Sequence, residues 1–353
     1  MKRLGLYGAG LFAARNINGG GSEGGGGSES GVGTTWTLRM MGFRALYRVT
    51  YGNGTFVTVG DRGAIFTSPD GVTWTRRTSP TDDWLSGVNW LSGVTYGNGT
   101  FVAVGDGGAI FTSPDGVTWT RMASPTRAWL YGVTYGNGTF VVVGENGTTL
   151  TSPDGVTWTQ RLLPARRLFG VTYGNGLFVA VGSDGAILTS PDGVNWTRRT
   201  SGDYGLSSVA YGNGLFVAVG GGGTILTSRD GVTWTEQTSG TSRGLNGVAY
   251  GNGLFVAVGG GGIILTSPDG VSWTQRASGT DNFLSSVTYG NGLFVAVGSR
   301  GAILTSRDGV NWTEQNSPAK AGLNGVTYGN GLFVAVGRDV GSYGDYGTIL
   351  TSP

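Results

Sequence analysis

The chain has 353 residues and a formal net charge of only +2, and charged residues make up 12% of it. A net charge this small excludes a broad positive surface that could bind nucleic acid or an anionic membrane. Cysteine and histidine are both absent, which excludes disulfides, thiolate and imidazole metal sites, and every catalytic arrangement that needs those side chains. We therefore predict no metal site, no cofactor and no nucleic-acid partner.

Residues 1–30 are predicted to form an N-terminal arm and a tether. Residues 19–27 are rich in glycine, serine and glutamate, the composition of a flexible linker. Three interpretations of residues 1–14 stay open: a signal-like segment, a decayed copy of the repeat hairpin, and an arm. As an arm, residues 1–18 would bind a protein assembly partner through the apolar side chains Leu4, Leu6, Tyr7, Leu11 and Phe12.

Residues 31–353 are dominated by one repeated sequence. Tyr-Gly-Asn-Gly occurs eight times, and successive copies such as Tyr173 and Tyr211 are mostly 38 or 39 residues apart. A period of ~40 residues that contains several short β-type runs is typical of a β-propeller, in which each unit buries its apolar face against its neighbours. The copies begin at Tyr51, Tyr96, Tyr135, Tyr173, Tyr211, Tyr250, Tyr289 and Tyr328.

One repeat predicts four short antiparallel strands, which we name A to D from the first to the last. In the repeat after residue 208 they are residues 209–211, 215–219, 224–227 and 232–235. Asn213-Gly214 between A and B is a strong hairpin signal, because a type I′ turn needs two residues at positive φ. Strand B is apolar throughout, as expected for a strand covered on both faces.

The turn between strands C and D carries a second motif. Ser-Pro-Asp-Gly-Val-Thr-Trp begins at Ser68, Ser113 and Ser152, and close variants begin at Ser190, Ser228, Ser267 and Ser306. It resembles the Asp-box of the BNR or sialidase-like propeller family, although aspartate and glycine are adjacent here instead of separated. The carboxylate is expected to accept backbone N–H bonds within its own turn, and near-identical copies favour a structural role over catalysis or cation binding.

The two ends of the chain are predicted to share one blade. The eighth repeat stops at Pro353, before its Asp-Gly-Val-Thr-Trp sequence, and a matching piece that contains Trp36 occurs near the N-terminus, at residues 32–37. The predicted fold class is therefore all-β: an eight-bladed β-propeller of four-stranded antiparallel blades, closed by an N-terminal outer strand that completes the C-terminal blade.

Propellers of this topology place the A–B and C–D turns on one face, here called the turn face. The B–C loops and the crossings from D to the next A lie on the other, here called the variable face because the repeats differ there. Two insertions, at residues 84–93 and 338–346, fall on the variable face. The predicted binding residues are Asp82, Asp83, Trp84, Trp90, Arg127, Trp129, Tyr131, Asp339, Tyr343, Asp345 and Tyr346.

Aromatic residues beside carboxylates and arginines fit a glycan or a protein partner. We predict a non-catalytic structural or adhesion protein, displayed extracellularly, on a cell surface or on a virion, by its arm. The same protein could be displayed as a homo-oligomer or as a filament. We predict no membrane span, because no run of residues is apolar and long enough. The alternatives are a soluble lectin-like module, and a degenerate glycosidase in which Asp82 pairs with Asp339 or Asp345.

The insertions also fit a plainer interpretation, as ordinary loops left by imperfect duplication. Likewise, six Asn-x-Thr sequences match the glycosylation sequon, but most of them are explained by hairpin turns. They lie at Asn53, Asn98, Asn137, Asn146, Asn195 and Asn311.

Overall fold

The computed structural model describes residues 33–42, 44–78, 90–199, 202–341 and 344–353. They form eight four-stranded antiparallel sheets, the blades of a propeller, and they contain no α-helix. The predicted fold class is thus confirmed in its blade number and blade architecture. Among the described residues, no helix has the length and apolar character that a membrane span requires.

Strands A and B form the inner hairpin of each blade. From blade 1 to blade 8, strand A is β2 (Leu46–Gly52), β6 (Leu91–Gly97), β10 (Leu130–Gly136), β14 (Leu168–Gly174), β18 (Leu206–Gly212), β22 (Leu245–Gly251), β26 (Leu284–Gly290) and β30 (Gly322–Gly329). Strand B is β3 (Thr55–Gly60), β7 (Thr100–Gly105), β11 (Thr139–Gly144), β15 (Leu177–Gly182), β19 (Leu215–Gly220), β23 (Leu254–Gly259), β27 (Leu293–Gly298) and β31 (Leu332–Gly341).

Strands C and D complete the blades. Strand C is β4 (Ile65–Ser68), β8 (Ile110–Ser113), β12 (Thr148–Ser152), β16 (Ile187–Ser190), β20 (Ile225–Ser228), β24 (Ile264–Ser267), β28 (Ile303–Ser306) and β32 (Gly344–Ser352). Strand D is β5 (Thr75–Arg77), β9 (Thr120–Arg121), β13 (Thr159–Leu162), β17 (Thr197–Arg199), β21 (Thr235–Gln237), β25 (Thr274–Arg276), β29 (Thr313–Glu314) and β1 (Thr37–Gly42). Short 3₁₀ turns lie at Asp106–Gly108, Gly221–Gly223, Gly260–Gly262 and Ser299–Gly301.

The core lies between neighbouring blades. Strand B alternates its side chains between the two neighbours: Val57 and Val59 of β3 pack with Phe101 of blade 2, whereas Phe56 packs with Val334 of blade 8. All of these side chains are fully buried. Burial on both faces explains why strand B is apolar throughout, since neither face of it meets water.

The Tyr-Gly-Asn-Gly motif has two structural roles on the turn face. Its asparagine lies at φ of 46–47° in all eight copies and the following glycine is also at positive φ, as a type I′ turn requires. The glycine just after the tyrosine makes room for the next blade, because a Cβ at Gly52 would overlap the ring of Tyr96. The same relation runs around the array as far as Gly329, which lies under Tyr51 of blade 1.

The C–D turns are held by their own aspartates. In blade 5, Oδ1 of Asp230 accepts the backbone N–H groups of Val232 and Thr233 at 2.8 and 2.9 Å, and the Ser228 hydroxyl donates to it at 2.9 Å. The Trp234 indole N–H donates to the carbonyl of Gly231. These hydrogen bonds lower the pKa of the carboxyl to about 2. The pKa is also lowered in the six equivalent aspartates, Asp70, Asp115, Asp154, Asp192, Asp269 and Asp308.

Blade 8 contains strands from both ends of the described chain. β1 pairs with β32, with Thr37 opposite Thr351, and the backbone N–H of Gly33 donates to the carbonyl of Pro353 at 2.6 Å. Trp36 is buried in the same cluster as residues of blades 7 and 8, and its indole N–H donates to the carbonyl of Gly33, as the indoles of the other C–D turns do to their glycines.

Candidate binding site on the variable face

The backbone of the variable face repeats from blade to blade. In blades 1 to 7, the residue just before the first leucine of strand A accepts, at its carbonyl, a hydrogen bond from the first N–H of the B–C loop at 2.8–3.0 Å. In blade 3 this bond joins Glu145 to Trp129, and in blade 5 it joins Gly221 to Gly205. We call this repeated, hydrogen-bonded backbone the frame. The side chains that it presents differ from blade to blade, whereas its hydrogen bonds do not.

Two positions on this frame carry most of the variation. The residue before the leucine is Ala45, Trp90, Trp129, Arg167, Gly205, Gly244, Phe283 and Gly322 from blade 1 to blade 8. The residue after the leucine is Tyr47, Ser92, Tyr131, Phe169, Ser207, Asn246, Ser285 and Asn324. Bulky rings thus concentrate in blades 1 to 4, whereas blades 5 to 8 carry small or polar residues except for Phe283.

Four of these rings form a continuous line across blades 2, 3 and 4, which we name the aromatic row. The centroids of Trp90 and Trp129 lie 5.0 Å apart with the rings at 74°, and Trp129 and Tyr131 follow at 6.3 Å and 71°. Tyr131 and Phe169 complete the row at 5.7 Å and 51°. Trp90 is 39% exposed, and the other three are half-buried. Edge-on contacts such as the first two are a favoured arrangement of aromatic rings.

A carboxylate fixes one end of the row. Oδ1 of Asp106 accepts the backbone N–H of Trp90 at 3.0 Å, while the Asp106 backbone N–H donates to the carbonyl of Trp90 at 3.0 Å. Asp106 is only 5% exposed. A buried carboxylate that accepts backbone N–H bonds is satisfied in place, so it positions Trp90 and is not offered to a ligand.

An ion pair lies beside the middle of the row. Oε1 of Glu145 is 3.6 Å from Nη2 of Arg167, and both side chains are partly exposed. Burial, and then the charge of Glu145, raise the pKa of Tyr131, whereas Arg167 acts in the opposite direction. Exposed pairs of this kind contribute little to stability, so the pair matters here for the charges that it places beside the row.

Blade 1 presents polar contacts at the corresponding positions. The Tyr47 hydroxyl donates to Oδ1 of Asp61 at 2.5 Å, and Nη1 of Arg48 donates to the Tyr47 carbonyl at 2.8 Å. Seven blades have glycine or serine at the position of Arg48. Burial lowers the pKa of Arg48 to about 10. This neighbourhood of blade 1 therefore contains two charged side chains, those of Arg48 and Asp61.

The structure brings three of the predicted binding residues together: Trp90, Trp129 and Tyr131. Arg127 is exposed in the crossing that leads to Trp129. Asp339 lies opposite Tyr346 on the hairpin of β31 and β32. The side chain of Asp345 is not described. The remaining predicted residues lie outside the described residues. They are Asp82, Asp83, Trp84, Tyr343 and the arm residues Leu4, Leu6, Tyr7, Leu11 and Phe12.

Phe169, Glu145 and Arg167 were not among the predicted binding residues, although they fall in the B–C loops and crossings that form the variable face. The available signal was position within the repeat, because Phe169 occupies the place of Tyr131 in the next blade. Among the described residues, no group of three or more acidic side chains could hold a metal ion.

Comparisons with known proteins agree with the fold. Residues 49–164 match the model of the DUF6242 beta propeller domain. The chain is similar in structure to YCF48 from Cyanidioschyzon merolae, at 19% identity and a TM-score of 0.56 over 74% of this chain and 95% of that one. A structure of YCF48 bound to D1 peptide is similar at 19% identity and 0.57, over 74% and 92%.

The C-terminal WD40 domain of Sif2 is also similar, at 10% identity and a TM-score of 0.69 over 90% of this chain and 98% of that one. No curated protein sequence matches the chain. Identities this low show a shared fold. The class that the fold and these matches define is therefore the β-propeller.

Proposed function

We propose that this chain is a non-catalytic adhesion β-propeller, with a repeat of Asp-box type, that binds its partner through the aromatic row. The observation that carries the proposal is the contiguity of Trp90, Trp129, Tyr131 and Phe169 at positions where blades 5 and 6 have glycine, serine and asparagine. Contiguous, partly exposed aromatic residues next to arginine are the composition that binding hot spots favour.

The turn-face aspartates support a non-catalytic assignment. Each of the seven accepts hydrogen bonds from its own turn, as Asp154 does from the N–H groups of Val156 and Thr157. A carboxyl that acts as a general acid is set apart by an environment that raises its pKa. Here the pKa is lowered in all seven, by the same hydrogen bonds.

The position of Gly33 supports display of the variable face. Gly33 takes the place in blade 8 that Gly71 takes in the C–D turn of blade 1, because each accepts an indole N–H from the tryptophan three residues later. Gly33, the first described residue, therefore lies on the turn face, opposite the variable face. An assembly partner on residues 1–18, on a virion or a cell surface, would leave the aromatic row facing outward. In this proposal, the pairing of β1 with β32 also closes the ring.

The test compares a row variant with a matched variant elsewhere on the same frame. The full chain is applied to an array of peptides and to an array of glycans, and retention is measured. We expect Trp129→Gly/Tyr131→Ser to lose binding by about tenfold or more, and Phe283→Gly in blade 7 to keep it. Retention that is equal in the two variants, or that is absent for wild type on both arrays, would overturn the proposal.

A second candidate, a lectin-like module, is favoured by the exposure of Trp90. An indole with an open face can stack on a sugar ring, and Trp90 is the most exposed of the four rings. In that case the glycan array, and not the peptide array, retains the wild-type chain, and Trp90→Ala abolishes the retention.

A further inference from the structure

We propose that the partner of the aromatic row is an extended, acidic segment of another protein, whose apolar side chains contact the rings while its carboxylates pair with the neighbouring arginines. This inference rests on the proposed function and adds the chemical class of the partner. Three observations carry it: the ring geometry, the spacing of the rings and the distribution of charge.

The ring geometry favours side chains over sugars. Stacking a sugar needs an open ring face, but Trp90 and Trp129 meet at 74° and Trp129 and Tyr131 meet at 71°. In such edge-on pairs the edge of one ring covers part of the face of the other. The surface that remains is an uneven line of ring edges and partial faces, which suits small apolar side chains that fit between the rings.

The ring spacing suits an extended chain. Successive centroids in the row are 5.0–6.3 Å apart. Alternate side chains of an extended polypeptide point to the same side and are about 6.6 Å apart. A segment that lies along the row can therefore place every second side chain near a ring, across the three blades that contribute to the row.

The charges beside the row select an acidic segment. Arg127 and Arg166 are exposed in the crossings of blades 3 and 4, and Arg161 is exposed on strand D of blade 3. Two carboxylates in the B–C loops of blades 2 and 3 already have partners: Asp106 accepts a hydrogen bond from the backbone of Trp90, and Glu145 lies in an ion pair with Arg167. Asp184 is exposed in the B–C loop of blade 4, so the three exposed arginines outnumber this one exposed carboxylate.

The outer edge of the ring shows the same asymmetry. On strand D, the exposed position after the threonine is Arg76 in blade 1, Arg121 in blade 2 and Arg198 in blade 4, whereas blades 5 and 7 have Glu236 and Glu314. Nη1 of Arg198 donates to the carbonyl of Pro164 at 2.8 Å, which holds its guanidinium beside the crossing that carries Arg166. On the outer edge, positive charge thus lies on blades 1, 2 and 4, on both sides of blade 3, which has Gln160 at this position. Complementary charge steers and orients a partner.

The experiment measures binding of four polymers to the full chain. The probes are random poly(Glu,Tyr), poly-Glu, poly(Lys,Tyr) and polysialic acid. We expect poly(Glu,Tyr) to bind about tenfold or more tightly than poly-Glu, because the rings need apolar side chains, and to bind less tightly as salt rises. Poly(Lys,Tyr) and polysialic acid are expected to bind weakly.

Variants test the two parts of the site separately. Trp129→Gly should remove the preference for poly(Glu,Tyr) over poly-Glu, and Arg127→Gln/Arg166→Gln should weaken binding and flatten its salt dependence. The matched controls are Phe283→Gly and Arg243→Gln on blades 7 and 6. Gly205 and Gly244 show that the frame accepts glycine at the position of Trp129, and an unfolding curve confirms the fold of each variant.

The outcomes separate the two proposals. Row-dependent binding of polysialic acid in preference to poly(Glu,Tyr) would overturn the acidic segment and leave the proposed function standing. Equal binding of poly(Lys,Tyr) and poly(Glu,Tyr) would do the same, because charge would then play no part. If poly(Glu,Tyr) fails to bind, or binds equally to the Trp129→Gly variant, the acidic segment is excluded, and the array experiment then decides the proposed function.

Discussion

The two faces of this propeller obey different constraints, although the same four strands run between them. On the turn face, eight asparagines share nearly one value of φ, and seven aspartates accept the same hydrogen bonds. On the variable face, the backbone bond before strand A is repeated, but the side chain at that position ranges from Gly205 to Trp129. Residue identity is therefore repeated where side chains make the hydrogen bonds that hold a turn. It varies where the hydrogen bonds are made by the backbone alone.

The largest effect should come from the glycine that ends strand B, which belongs to the frame even though it lies at the variable face. Gly220 has extended backbone, but a Cβ there would overlap the carbonyl of Gly205. We expect Gly220→Ala to lower the free energy of unfolding by about 3 kcal/mol, measured by chemical denaturation. Gly244→Ala, which meets open space, is the control, and an equal loss there would contradict the distinction between frame and surface.

A smaller effect is expected between the two faces, where blade 3 departs from the repeat. Thr149 stands where the other seven blades have isoleucine, and its hydroxyl is buried without a hydrogen-bond partner. Thr149→Val keeps the shape and removes the unpaired group, so it should raise the free energy of unfolding by about 1 to 2 kcal/mol. The reverse change in blade 4, Ile187→Thr, should lower it, and an unchanged unfolding midpoint in both would refute the explanation.

The turn face should lose stability in acid. The pKa of Asp70 is lowered from 3.8 to about 2 by the N–H groups of Thr73 and Val72 and by the Ser68 hydroxyl. Because the folded-state pKa is below the ordinary value, this stabilisation is complete above about pH 4 and is lost as the pH falls toward 2. The contribution of each turn is small, since these carboxylates are exposed.

Unfolding midpoints measured from pH 5 to pH 2 check this expectation. Asp70→Asn should reduce the acid dependence by the same small amount as Asp115→Asn, because the two turns have the same hydrogen bonds. One aspartate with a much larger effect than the others would show that the turn face is not uniform.

The smallest effect on stability is expected from exchange of side chains on the variable face. Gly244→Trp copies the position of Trp90 into blade 6, where Phe283 of blade 7 occupies the place of Trp129. We expect the free energy of unfolding to change by less than about 1 kcal/mol, as for surface substitutions generally. A blue-shifted difference emission between the variant and the wild type would report packing of the new indole against Phe283, and a large loss of stability would show that the frame is less permissive than the repeat indicates.

Much of the fold could be predicted because local signals repeat. Asn213-Gly214 and its seven counterparts fix hairpins, and the period of the motif fixes the number of units. The first glycine of Tyr-Gly-Asn-Gly is different: its role depends on the tyrosine of the next blade, as for Gly52 and Tyr96. No local rule supplies that reason, since the contact crosses ~40 residues of chain.

The sequence by itself determined the repeat, the hairpins, the number of blades and which face varies, because each of these depends on residues close together in the chain. The tertiary structure decided which variable residues meet. Trp90 and Trp129 are in adjacent repeats and touch because their blades lie side by side, whereas Phe169 joins the row because the frame of blade 4 aligns it with Tyr131. Contact between blades is a property of the packed array, so the candidate site could be recognised only after the blades were assembled.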